Sequence, residues 1–262
     1  MKKLLFACAA VLIAGLGIGK LYCTQQENKM TDFSKTDPEF NELWRNFAQN
    51  EVKGHGSLDS KTAYLTVLAA HVATQSVNEY KLVLSEALDS GVSPTEAREA
   101  LYQTVPYAGM AKAYDFFAAG AEVFAAKGIK LPLPAQATTD KTNRLEKGIE
   151  TQCDIFGREH ILSMRANAPA ELKHIQDYLS ANCFGDYYTR GGLNVKTREM
   201  ITLAVLIAMG GADPQAKAHV QANLNVGNSK QDMLDMVTQL LPYIGYPRTL
   251  NGIAAINEVC NK

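Results

Sequence analysis

Residues 193–209 read LNVKTREMITLAVLIAM and residues 58–74 read LDSKTAYLTVLAAHVAT. The apolar runs are longer than most strands, so helices are predicted over 61–73 and 197–209. At an offset of 135, Leu58, Lys61, Thr62, Leu68, Ala69 and Ala73 fall on Leu193, Lys196, Thr197, Leu203, Ala204 and Ala208. After one inserted residue the offset becomes 136. Lys81, Leu88, Gly91, Ser93, Gln103, Pro106, Tyr107 and Gly109 then fall on Lys217, Leu224, Gly227, Ser229, Gln239, Pro242, Tyr243 and Gly245. A single gap and a shared QxxPYxG signature mark a true internal repeat.

Each copy predicts a helix, a turn, a second helix, a Gly stop, a capped third helix, a PYxG break and a fourth helix. Ser93-Pro94-Thr95-Glu96 carries an N-cap, a Pro at the first helical position and a Glu at N3. Asp213-Pro214 and Ser229 with Asp232 open two more helices. No segment alternates like a half-buried strand for more than a few residues. The fold expected is all-α, with two tandem helical repeats packed as a pseudo-dimer so that each buries its apolar stripes. Repeat A is placed at 38–130 and repeat B at 143–262. The polar, Pro-bearing stretch 131–142 forms the linker.

The whole chain of 262 residues fits either one large domain or two small ones, and the repeat decides for two. Hydrophobic residues make up 47% and charged residues 20%, an ordinary balance for a globular protein. With 26 basic and 27 acidic side chains there is no basic excess to hold nucleic acid. Lys2 and Lys3 precede an uncharged stretch, 4–19, too short to span a bilayer and long enough for a signal core. Residues 1–19 therefore read as an export signal and 20–37 as a tether, which places the protein in the periplasm. Membrane attachment arises only if this segment stays as an anchor or Cys23 is lipidated. A start at Met30 instead gives a cytoplasmic protein. Cys153, Cys183 and Cys260 offer neither a CxxC nor a zinc spacing. They are either buried free thiols or, for Cys153 and Cys183 in an oxidising compartment, a disulfide. No cofactor motif or metal cluster is present, and none is expected.

The two copies differ where chemistry can sit. Glu199 and His219 in repeat B stand where repeat A has Tyr64 and Val83, and Arg190 stands where it has His55. A carboxylate can orient an imidazole and raise its basicity, making a proton relay across a helical hairpin. With the turn at Gly210–Asp213, a direct hydrogen bond and a water bridge are both open. The plainer account has Glu199 exposed in a first helical turn and His219 at the surface or satisfied in the core.

The elements RGGLNVKTRE, HVQANLNVG and LLPYIGYPRTLN within 190–252 resemble the carboxymuconolactone decarboxylase family, and repeat A resembles the same unit less fully. The resemblance implies an all-helical fold and oligomers of the unit, so a tandem chain implies a homo-oligomer, a trimer of chains. It offers two chemistries. The alkylhydroperoxidase D type needs two thiols ahead of the histidine, and Ala212 and Gln215 stand in those places. The decarboxylase type implies a small anionic lactone or keto acid as substrate, with His219 as acid or base and Glu199 as its orienter or a second acid. Arg190 and Arg248 are the candidate carboxylate clamp. Tyr243 is a candidate donor to an enolate oxygen, with a structural role as its alternative, and Asp186, Tyr187 and Tyr188 are candidates for the mouth. A non-catalytic binding protein of the envelope is the third reading.

Overall fold

The computed structural model describes residues 32–261. The expected export signal, Cys8, Cys23 and Met30 lie outside them. Among the described residues there is no strand. The helices are α1 (Phe33–Thr36), α2 (Pro38–Arg45), α3 (Ser60–Thr74), α4 (Val77–Asp89), α5 (Pro94–Ala108), α6 (Met110–Ala126), α7 (Arg144–Phe156), α8 (Arg158–Ala166), α9 (Lys173–Tyr178), α10 (Val195–Met209), α11 (Asp213–Asn225) and α12 (Lys230–Cys260). Two wide-turned π-helical segments, Asn46–Val52 and Leu179–Tyr188, precede α3 and α10. The described residues through Leu43 form a small unit, within which Phe33 meets Phe40 edge to face at 5.4 Å. The unit from Trp44 onward holds the repeat.

The repeat is visible helix by helix. α3 pairs with α10, α4 with α11, and α5 with α12 as far as Gly245, where the backbone leaves the helix at φ 74°. Gly109 makes the same break between α5 and α6 at φ 84°, a left-handed turn that glycine takes without a Cβ clash. α3 and α10 pack on each other at the centre. Each is buried around nearly its whole circumference, from Leu65 to Ala73 and from Arg198 to Ala208, as a helix apolar on every side must be. Ser93 and Ser229 both close capping boxes, with Glu96 and Asp232. α11 opens at Asp213-Pro214, with Asp213 in its first turn and Ala212 at the cap position.

α7 and α8 have no equivalent in the first copy. α7 reaches the body through two facing glycines. A Cβ on Gly148 would stand 1.8 Å from Ser180 O, and one on Gly185 2.1 Å from Arg144 O. Backbone therefore touches backbone, and no rotamer change can make room. Gly148→Ala should cost about 3 kcal/mol, at the upper end for overpacking, and denaturant titration would show it. A loss below about 0.5 kcal/mol, the range of ordinary surface changes, would mean that α7 does not dock this closely.

Candidate active site

α10 starts at Asn194, whose side chain accepts from Thr197 N at 2.8 Å, and this sets Glu199 one turn inside a buried helix. α11 runs back along it and brings His219 to the same level. His219 Nδ1 and Glu199 Oε2 are 2.7 Å apart, so the contact is direct and no water lies between. With the carboxylate as acceptor, Nδ1 donates and Nε2 is left for the cavity. Glu199 is fully buried, which removes the exposed-residue account of it. Asn223, one turn beyond His219, donates to Glu199 O at 3.1 Å and His219 O at 2.7 Å. That amide ties both backbones at the level of the pair. Glu199 Oε1 is buried with no hydrogen-bond partner. Such a group costs about 1–3 kcal/mol, and exceptions of this kind call for a functional explanation.

His219 lines a cavity of about 660 Å³ together with Tyr107, Phe156, Cys183, Phe184 and Leu206. Phe156 and Tyr107 both meet the imidazole edge to face at 5.4 Å. Tyr107 belongs to the first copy. Its hydroxyl lies 3.1 Å from Tyr188 OH, which lies 2.9 Å from Thr202 Oγ1, and Gln103 Nε2 donates to that oxygen at 3.2 Å. Burial, reinforced by Cys183, Tyr188 and Glu199, holds Tyr107 well above the ordinary phenol range. It is therefore a neutral O–H. Burial likewise pushes the Cys183 thiol up to about 12, the opposite of what a peroxide-reducing thiolate needs. Cys153, Cys183 and Cys260 are all free, so the disulfide alternative does not hold. Among the described residues, no group of three His, Cys, Asp or Glu is placed to hold a metal ion.

The other sequence candidates lie elsewhere. Arg190 donates to both oxygens of Glu99 at 2.8–3.1 Å and stacks over Tyr102 at 4.8 Å. It lines a separate cleft of about 500 Å³ beside the linker, because Glu99 of the first copy claims its fork. Arg248 donates to Ala208 O and so caps the carbonyl end of α10. Asp186 pairs with Arg144 at 2.6 Å, and Tyr188 is buried inside the hydroxyl chain. Tyr243 does not approach His219. It lines the equivalent cavity of the first copy, about 170 Å³, with Tyr64 and Val83. There it packs edge to face on Trp44 and His71. The pseudo-twofold crosses the tyrosines, each copy placing its own in the other's cavity. Tyr107 is thus the site residue that sequence reasoning missed, and its signal was the QxxPYxG match itself.

The first copy's cavity has a different polar set. Lys53 Nζ donates to Tyr64 OH at 2.9 Å, Tyr64 OH donates to Glu86 Oε1 at 2.9 Å, and Lys53 and Glu86 form an ion pair. Burial lowers His71, beside Tyr243, to about 4, so its ring stays uncharged at neutral pH.

Comparison with known proteins matches this architecture. Over 116 residues, 44% of this chain and 86% of the relative, it is 27% identical to a 4-carboxymuconolactone decarboxylase of Acinetobacter baylyi. Over 131 residues, 49% of this chain and 91% of the relative, it is 23% identical to a nitrosuccinic acid decarboxylase of Metarhizium robertsii. The carboxymuconolactone decarboxylase family model matches twice, at 38–122 and 173–258. The second match begins at α9, so α7 and α8 lie between the two matched units. With both copies of the helical unit accounted for, the chain belongs to the carboxymuconolactone decarboxylase family as a tandem two-repeat member.

Proposed function

We propose that the chain is a carboxy-lyase that removes CO2 from a small anionic lactone or keto acid in the cavity of the second copy. The observation that carries this is the buried 2.7 Å contact between Glu199 and His219 at the wall of that cavity. The names of the two relatives, both decarboxylases of carboxy acids, support it. In the reaction the C–CO2 bond breaks and its electron pair passes to the neighbouring carbon and the carbonyl conjugated with it. CO2 leaves, His219 delivers the Nε2 proton to that carbon, and a new C–H bond closes. His219 regains a proton from water. Glu199 holds the ring in orientation through Nδ1–H and stabilises the imidazolium form. No step calls on a cofactor.

Purified protein incubated with a panel of 3-oxo acids and carboxylated enol-lactones should release CO2 at least ~100-fold faster than the uncatalysed loss, the scale of one positioned acid–base group. Spontaneous rates from every acid on the panel would end this reading.

A further inference from the structure

Part of the cavity wall around His219 comes from outside the two family-matched units. α7 and α8 contribute Phe156, Ile161 and Met164 to the cavity, with Gln152 and His160, and α10 contributes Leu206 and Met209. Among the described residues that line it there is no Lys, Arg, Asp or Glu, and its second histidine, His160, is solvent-exposed, unlike the buried His219. The clamp expected from Arg190 and Arg248 is absent, since both guanidinium groups are engaged elsewhere. One carboxylate can still be met by His219. A second one, buried against Met164 and Leu206 with no cation, would be heavily penalised.

Tyr107 supplies the remaining specificity. Arg198 NH1 donates to Gln103 Oε1 at 3.1 Å, which fixes the Gln103 amide so that its NH2 faces Thr202, because guanidinium can only donate. Thr202 Oγ1 lies 2.9 Å from Tyr188 OH, and Tyr188 OH lies 3.1 Å from Tyr107 OH, contacts in which either hydroxyl can donate. Cys183 Sγ, 3.5 Å away, donates to the same Tyr107 oxygen. When the chain runs outward from Gln103, the Tyr107 oxygen accepts from both sides, and its own proton is left for the cavity and polarised by donation along the chain. A preset O–H beside the reacting carbon is an oxyanion donor.

Resting on the decarboxylase reading, we infer that this cavity takes a 3-oxo monocarboxylate with an apolar body. Its carboxylate and C2 lie at His219, its oxo oxygen under Tyr107, and its hydrocarbon part against α7 and α8. The C1–C2 bond breaks, the electron pair moves onto C2 and the oxo oxygen, and His219 protonates C2. The products are a methyl ketone and CO2.

Titration calorimetry with unreactive acids tests the class independently of the chemistry. 4-Phenylbutanoate should bind the wild-type protein at least about tenfold more tightly than glutarate, a difference of one decade in Kd. Equal or tighter glutarate binding, or no binding of either, overturns the proposal. Met164→Arg places a guanidinium in the apolar wall and should move the ratio at least about tenfold toward glutarate. An unmoved ratio removes the wall from the argument for specificity. With 3-oxo-3-phenylpropanoate, Tyr107→Phe should lower kcat about 100-fold or more, as loss of one oxyanion donor does, with KM little changed. An unchanged kcat removes the donor role. Acids that bind in the stated order while no oxo acid loses CO2 faster than in buffer would sink the decarboxylase reading and leave the binding class standing.

Discussion

Replacing His219 with alanine is expected to lower the rate of CO2 release at least ~100-fold, the usual scale for a group that moves a proton in the transition state. His219 lines the cavity, and its Nδ1 is committed to Glu199 at 2.7 Å. The alanine variant removes both the proton and the side chain through which Glu199 reaches the cavity. Glu199→Gln is the informative companion. The amide keeps a polar contact to the ring but cannot stabilise an imidazolium, so kcat should fall by roughly tenfold or more while KM holds. Steady-state kinetics on both variants, with thermal unfolding to establish that they are folded, would decide the matter. A His219→Ala enzyme within threefold of wild type would remove the pair from the mechanism.

A second large effect is expected in the ionic network around Glu99. Glu99 is the carboxylate for two arginines, Arg190 and the fully buried Arg198. Arg198 also donates to Gln103 Oε1 and to the Arg190 and Gly191 carbonyls, so one ionic network joins the two copies. Burial pulls the Arg198 guanidinium below its ordinary range and Glu99 opposes that pull. Glu99→Ala leaves a buried cation uncompensated and should cost about 3–5 kcal/mol. For a chain of this size that lowers Tm by roughly 10 °C or more. Glu99→Ala combined with Arg198→Met should recover much of the loss, since replacing a buried pair with apolar volume is often neutral. A single variant within 1 kcal/mol of wild type would show that solvent reaches Arg198. In the second copy the place of Glu99 is taken by Asp235, which accepts from Ser57 N at 2.7 Å. The same position thus ties the copies together on both sides of the pseudo-twofold.

The helices, the repeat and the Glu199–His219 asymmetry were legible in the sequence because each depends on local spacing or on comparison at a fixed offset. Ser93 and Ser229 declare their helix starts within four residues. Glu199 and His219 stand out only because Tyr64 and Val83 occupy the equivalent places. Arg190 and Tyr243 show what local reading misses. Both lie in the stretch that most resembles the family, yet Glu99, 91 residues earlier in the chain, takes the guanidinium. The crossing of the two copies sends the tyrosine to the other cavity. Which copy's cavity a helix end enters is a matter of tertiary packing, and no spacing rule encodes it. The apolar wall from α7 and α8 escaped for the same reason: its meaning appears only once Gly148 lets α7 sit against the Leu179–Tyr188 segment.

The exchanged tyrosines also bear on how such a chain can change over generations. In an assembly of identical single units every site would be equivalent, and any substitution would be felt at all of them. Joining two units end to end frees one half to drift while the other stays constrained. The first half holds a different polar set, with Lys53, Tyr64 and Glu86 bonded to one another in its own cavity. It is nevertheless tethered to its twin through Tyr107, which it contributes across the interface. The substitutions it can accept are therefore unevenly distributed. They are wide around its own cavity and narrow along α5, whose last turn ends in the neighbour's cavity.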